Sequence, residues 1–405
     1  MTQHADPETV LRLACERILL DTSGPQRFGL PGDGVGELAS AFVVLAGLPV
    51  GAAQQVLDDY TAALSLRGQG VPFRHLVQRA PAAPPLPRSL PSVAPVGRNV
   101  RVGGLDVHVE TVVLRAGRTD VHVRLDAQPL LSSGPPVVQL SDDAGTTSQA
   151  HFNGGGGDDG WEGHWSTEKA LSPATSWVEI DGVRLEVAPR ELRRDAVVEA
   201  RTDGSLVHRY LWQRLATTEH GVLEGGHLVD ALVDVGVLAE SDADLLAAWE
   251  SVAEGMTQWG RPFRSKDPLI PAQLSAYLSR RGSTSKRELA VPLATTVTVD
   301  SFEVALFGLR ATTDGFRVQC VVRGPGGGWH HRFGFEQEVR TESLAWWAED
   351  DRGNSYLGAW GQSSADGDET EGTIVFGPGL DKKATVLRLL PTTLQTRAVV
   401  EVPLP

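Results

Sequence analysis

The stretch Val107-His108-Val109-Glu110-Thr111-Val112-Val113-Leu114-Arg115-Ala116 returns as Phe302-Glu303-Val304-Ala305-Leu306-Phe307-Gly308-Leu309-Arg310-Ala311, 302 − 107 = 195 positions further on. In both versions apolar residues alternate with polar ones. Val100, Val102, Val107, Val109 and Thr111 keep the period in the first, and Val297, Val299, Phe302, Val304 and Leu306 keep it in the second. A period of two with one apolar face is the pattern of half-buried antiparallel strands. The same texture continues through Val121, Val123 and Leu125, and again through Phe316, Val318 and Cys320. Further strands are expected at 137–140, 177–180 and 183–187, with counterparts at 344–348, 386–390 and 398–402.

The repeat extends outward on both sides. Gly70-Val71-Pro72-Phe73-Arg74 returns as Gly260-Arg261-Pro262-Phe263-Arg264, an offset of 260 − 70 = 190, and Asp142-Asp143-Ala144-Gly145 returns as Asp350-Asp351-Arg352-Gly353, at 350 − 142 = 208. The order is kept while the offset drifts, as duplication followed by loop insertions produces. Each copy opens with helical spacing: 7–20, 35–45 and 51–66 in the first, 206–216, 227–237 and 241–256 in the second. Gly47 and Gly236 fall where a helix ends, a place for the left-handed conformation that glycine tolerates. Tyr60 and Trp249 share a position one turn into the last helix and read as core. The uncharged run 38–57 has the length of a membrane span, but its twin carries Asp230, Asp234 and Glu240. It reads instead as two core helices joined by a short turn.

The expected fold is therefore an α+β multidomain chain, a tandem duplication of a small helical segment followed by an antiparallel immunoglobulin-like β-sandwich. The segments run 1–80 (helical) and 88–190 (β), then 198–282 (helical) and 288–405 (β). The Asp-Asp-x-Gly turn, followed by Asn354-Ser355-Tyr356 in the second copy, resembles turns of bacterial immunoglobulin-like domains; the resemblance covers that element alone and implies no activity.

A chain of 405 residues exceeds one ordinary core. Its net charge of −14 argues against general affinity for nucleic acid or anionic lipid. The basic runs 190–194 and 286–287 sit at joints and read as solvated linker charge. Cys15 and Cys320 occupy non-equivalent places, which excludes a disulfide framework and fits a reducing, cytoplasmic setting. The N-terminal residues lack the basic and apolar regions of a secretory signal.

Candidate chemistry can be checked against the twin. Asp142-Asp143 and Asp350-Asp351, with Asp158, Asp159, Asp366 and Asp368 nearby, offer oxygens to calcium, but Asp before x-Gly is also ordinary turn chemistry. His108 and His122 lie on polar strand faces, about five residues out of pairing register with each other across a turn near Gly117. At the offset of 195 their counterparts are Glu303 and Arg317, which are no metal pair. His151 and His164 face Ala359 and Thr373, and His330-His331 has no histidine partner in copy one. No Gly-x-Ser-x-Gly, Walker loop or His-Glu-x-x-His occurs. The glycines at 32–36 read as a loop, and Gly154–Gly157 as a flexible loop tip.

The largest asymmetry is an insertion of 208 − 195 = 13 residues in the second copy, in which Trp329, His331, Phe333 and Phe335 would share one strand face. Such a face suits a partner contact; packing against the neighbouring helical segment is the competing reading. No catalytic set is kept in both copies. The expectation is a non-enzymatic, cofactor-free interaction or scaffold protein that binds a protein partner through Trp329, His331, Phe333 and Phe335. The alternatives are a carbohydrate or small-ligand module assisted by calcium, and a hydrolase using His151 or His164 with an acid between the halves.

Overall fold

The computed structural model describes residues 6–21, 33–66, 91–125, 135–157, 160–188, 190–193, 196–202, 205–207, 209–210, 213, 231–238, 288–312, 315–325, 339, 341–366, 369–377 and 379–405. The first copy supplies helices α1 (Pro7–Asp21), α2 (Asp33–Ala46) and α3 (Val50–Leu66), then strands β1 (Ser92–Val102), β2 (Leu105–Leu114), β3 (Thr119–Leu125) and β4 (Val138–Asp142). It continues with β5 (Thr147–Gly157), β6 (Gly160–Thr167), β7 (Trp177–Ile180) and β8 (Val183–Glu186). The joint holds β9 (Arg190–Glu191) and β10 (Val197–Ala200). The second copy supplies β11 (Leu289–Val299), β12 (Phe302–Ala311), β13 (Phe316–Arg323), β14 (Ala345–Asp350), β15 (Ser355–Asp366), β16 (Glu369–Gly377), β17 (Val386–Thr392) and β18 (Thr396–Pro403).

Both copies use the same strand order. One sheet runs β8-β7-β4-β5-β6-β3-β2-β1-β9, and the other β10-β18-β17-β14-β15-β16-β13-β12-β11. Within each, the far strands curl into contact, β1 with β8 and β11 with β18, so each antiparallel sheet closes nearly into a barrel. This corrects the expected immunoglobulin-like sandwich. A sandwich divides its strands between two facing sheets, whereas here one ladder carries them all. Alternation could not distinguish the two, because inward and outward residues alternate equally in both.

Local chemistry explains the turns. Val102 pairs with Leu105 across Gly103-Gly104, and Ile180 with Val183 across Asp181-Gly182. All four turn residues have positive φ, at 57° and 87°, then 45° and 83°, which matches the twist of a two-residue hairpin. Pro95 and Pro292 sit at equivalent bulges in β1 and β11, where a missing N–H does not interrupt the ladder.

The bulges also fix the true register of the repeat. The β2 irregularity between Val109 and Thr111 recurs in β12 between Leu306 and Gly308, an offset of 306 − 109 = 197 rather than 195. A slip of two residues keeps every side chain on its face, so the alternation cannot reveal it. The insertion before β14 is therefore 208 − 197 = 11 residues, and the counterparts of His108 and His122 are Ala305 and Gln319.

The glycine run 154–157 is strand, not a loop tip: Gly154 pairs with Gly163. A Cβ on Gly154 would lie 2.3 Å from the Glu162 carbonyl oxygen, so the close approach of the backbones requires glycine there. Asp33–Gly36, read as loop, form the first turn of α2.

The joint is stitched down rather than free. β9 pairs with β1, Arg193 bonds the backbone of Ala294 and Thr296 in the β11 bulge, and β10 pairs with β18. The helices α2 and α3 confirm two helices with a short turn over 38–57, and Gly47 and Gly236 take φ of 69° and 71° at the expected helix ends. Asp6 caps α1 through Thr9 N–H. Leu11, Phe42, Leu57 and Tyr60 share one buried cluster with Tyr210, Leu232 and Leu238 of the second copy, edged by Val339, Trp347 and Leu394. The first helices thus pack on those of the second copy and on the end of the second barrel. The Pro-Phe-Arg motifs, Trp249 and the basic run 286–287 lie outside the described residues.

Candidate functional site

Between the barrels runs a seam built from the outer faces of β2, β3 and β6 on one side and β12, β13 and β16 on the other. Strand β3 shows how it is made. Val121, Val123 and Leu125 fill the barrel, and the alternate residues Asp120 and His122 face the seam and are buried as well. The centre of the seam is apolar, with Val93, Val113, Ala305, Phe307 and Val321 packed together. Charge flanks this centre.

On one flank Arg115 reaches three carboxylates. Its Nε donates to Asp120 Oδ2 at 2.9 Å, Nη1 donates to Glu369 Oε1 at 2.6 Å, and Nη2 lies 2.9 Å from Glu371 Oε2. Arg118 donates to Asp120 and Glu371, and Arg323 donates to Glu369 Oε2 at 2.6 Å. Ser166 Oγ donates to the second oxygen of Asp120. On the other flank Glu110 accepts from Arg310 at 3.1 Å and from Gln319 at 2.7 Å, and Glu162 pairs with Arg310 and Arg317. The arrangement is reciprocal. Glu162 and Glu371 occupy equivalent positions (371 − 162 = 209, the offset at which His164 matches Thr373), and each crosses to the arginines of the other half. Equivalent residues Thr111 and Gly308 face one another, as they must near the axis of an isologous contact.

Two histidines join the first flank. His122 and His164 are register partners across β3 and β6, with ring centroids 5.2 Å apart. His122 Nε2 lies 3.2 Å from Glu371 Oε1, at ion-pair distance but off the line of a hydrogen bond; both atoms are buried and lack a hydrogen-bond partner. Among the described residues, His122, His164 and Glu371 form a group of three potential metal ligands whose donor atoms lie within 4.8 Å of one another.

The electrostatics follow from this crowding. Burial alone would raise the Glu371 carboxyl, but Arg115, with His122 and His164, holds it well below the usual carboxylate range. Burial lowers the Arg118 guanidinium, and Asp120 and Glu371 more than reverse that. Burial pushes His164 below its ordinary value, toward the neutral ring.

The sites expected from sequence fare differently. Trp329, His331, Phe333 and Phe335 lie outside the described residues, as do His330, Asp158, Asp159 and Asp368. His151 is exposed opposite Ser166 in the β5–β6 ladder, and His108 bonds Asn99. The Asp-Asp turns use their carboxylates internally. Asp142 accepts from the backbone of Thr146 and Ser172, and Asp350 from Arg352, Asn354 and Tyr356. Asp143 and Asp351 hold equivalent residues, Ser176 and Thr385, by both N–H and hydroxyl. From sequence, His122 is weighed only against His108, with which it is indeed out of register, and is not set against His164. The charge alternation of Arg115, Arg118, Asp120 and His122 against Glu369 and Glu371 was the available signal, but nothing local shows that these two strands meet.

No family model matches the chain, and no curated protein matches it. One solved structure, described as the crystal structure of the conserved domain protein from Bacillus anthracis, aligns over 74% of this chain and 77% of its own at 9% identity, with a TM-score of 0.19.

Proposed function

We propose that the protein is a non-catalytic scaffold whose two barrels are locked into one body and whose outer surfaces serve a protein partner in the cytoplasm. The observation that carries this reading is the seam itself: Arg115, Arg118 and Arg323 from both halves meet Asp120, Glu369 and Glu371, each cation spanning carboxylates. An acid held by two guanidiniums is a poor general base, which weighs against a hydrolase at the interface. The turn carboxylates of Asp142, Asp143, Asp350 and Asp351 already accept backbone donors, which weighs against calcium there. Two free, buried thiols, Cys15 and Cys320, fit a reducing compartment.

The test has two arms. Substituting Trp329, Phe333 and Phe335 together by serine is expected to abolish capture of a partner from the native host and to leave the melting temperature nearly unchanged, since aromatics that serve a partner contact add little to the folded monomer. Hydrolysis of ester, glycoside or phosphoester substrates that disappears in a folded His164→Ala variant would overturn the scaffold reading.

A further inference from the structure

The geometry points to a zinc-class divalent cation site at the seam, with His122 and His164 from the first barrel and Glu371 from the second as its protein ligands. It goes beyond the scaffold reading and does not depend on it. The two oxygens of Glu371 are used unequally. Oε2 takes Arg115 and Arg118, and Oε1, buried, takes no hydrogen bond and faces an imidazole nitrogen that likewise has none. Two buried polar atoms 3.2 Å apart, neither in a well-aligned hydrogen bond, are what a cation between them would satisfy.

Distance and chemistry agree. Tetrahedral zinc with bonds of about 2.0–2.2 Å sets neighbouring donors roughly 3.3 Å apart. His122 Nε2 and Glu371 Oε1 are 3.2 Å apart, and the third donor, from His164, lies within 4.8 Å of both. Two imidazoles and one carboxylate form a donor set that zinc accepts with a fourth position left to water, and magnesium and calcium prefer more oxygens. His164 keeps part of its surface exposed, whereas His122 and Glu371 are buried. Arg118, whose side chain is 32% exposed, can turn outward as the positive charge arrives. Such an ion would join the two barrels directly, because its ligands come from both.

The experiment uses the full chain, stripped with chelator and desalted, with Zn²⁺ and Co²⁺ themselves as probes. One Zn²⁺ per chain is expected by calorimetry, with a rise in melting temperature, and Co²⁺ should give the visible bands of a tetrahedral site. His164→Ala, which removes a half-buried ligand outside the barrel core, should lower zinc affinity roughly a hundredfold and erase the cobalt bands. Arg118→Gln should raise affinity roughly tenfold, about 1.4 kcal/mol, by removing a like charge beside the ion. No uptake at micromolar zinc, or uptake and cobalt bands that persist unchanged in His164→Ala, would overturn the proposal. Because His164→Ala and Arg118→Gln both spare the buried residues His122 and Glu371, the result does not hang on a variant that fails to fold.

Discussion

Arg115 is the side chain on which the seam turns. It is 9% exposed and joins Asp120 of its own barrel to Glu369 and Glu371 of the other. Arg115→Ala would leave three carboxylates crowded together with Arg118 and Arg323 as their remaining cations, and removing one member of a buried ion network costs about 3–5 kcal/mol. Urea unfolding of the variant should show that loss; a change below about 1 kcal/mol would contradict the assigned role. The paired turns give a second prediction. Asp143 and Asp351 are held below the ordinary carboxylate range by hydrogen bonds from Ser176 and Thr385. A depressed folded-state pKa contributes stability above the unfolded value of about 3.9, and that stability is lost as pH falls through the folded value. The Asp143→Asn, Asp351→Asn double variant should therefore lose less stability than the parent between about pH 4 and pH 2. Parallel acid limbs for the two proteins would remove these residues from the account.

At the scale of elements, the helices give the sharpest dependence. Phe42, Leu57 and Tyr60 are buried against Tyr210 and Leu232, contributed by the other copy. Three short helices without that cover bury little apolar surface. Residues 1–80 expressed alone should show no cooperative melt by circular dichroism, and a sharp transition would refute the shared core. Most strands were legible because outward polar residues follow inward apolar ones, as at Val107-His108 and Val109-Glu110 in β2. Other features were not. The register of the repeat hid behind a slip of two, and the joint looked like linker because Arg193 carries a charge while its backbone lies in a ladder. The meeting of His122 with His164 needed the β3–β6 pairing, and their meeting with Glu371 needed the docking of the barrels. Neither leaves a trace in local spacing.

At the scale of the molecule, two barrels with separate cores are coupled by a small apolar centre and a buried charge network. Thermal unfolding should be a single transition by both far-ultraviolet and tryptophan signals. The Arg115→Ala, Phe307→Ala double variant should separate it into two as the barrels uncouple. Two transitions in the parent protein would mean that the seam carries little coupling.

The reciprocal crossing of Glu162 and Glu371 has a historical consequence. An isologous contact between equivalent faces is how two identical subunits associate, so the seam has the form of a homodimer interface enclosed within one polypeptide. Once the subunits were fused, the encounter became unimolecular, with an effective concentration in the millimolar range for short connections. Neither face then had to recognise itself. The two sides became free to diverge, so that one now carries Arg115, Arg118, His122 and His164 where the other has Thr312, Gly315, Gln319 and Thr373.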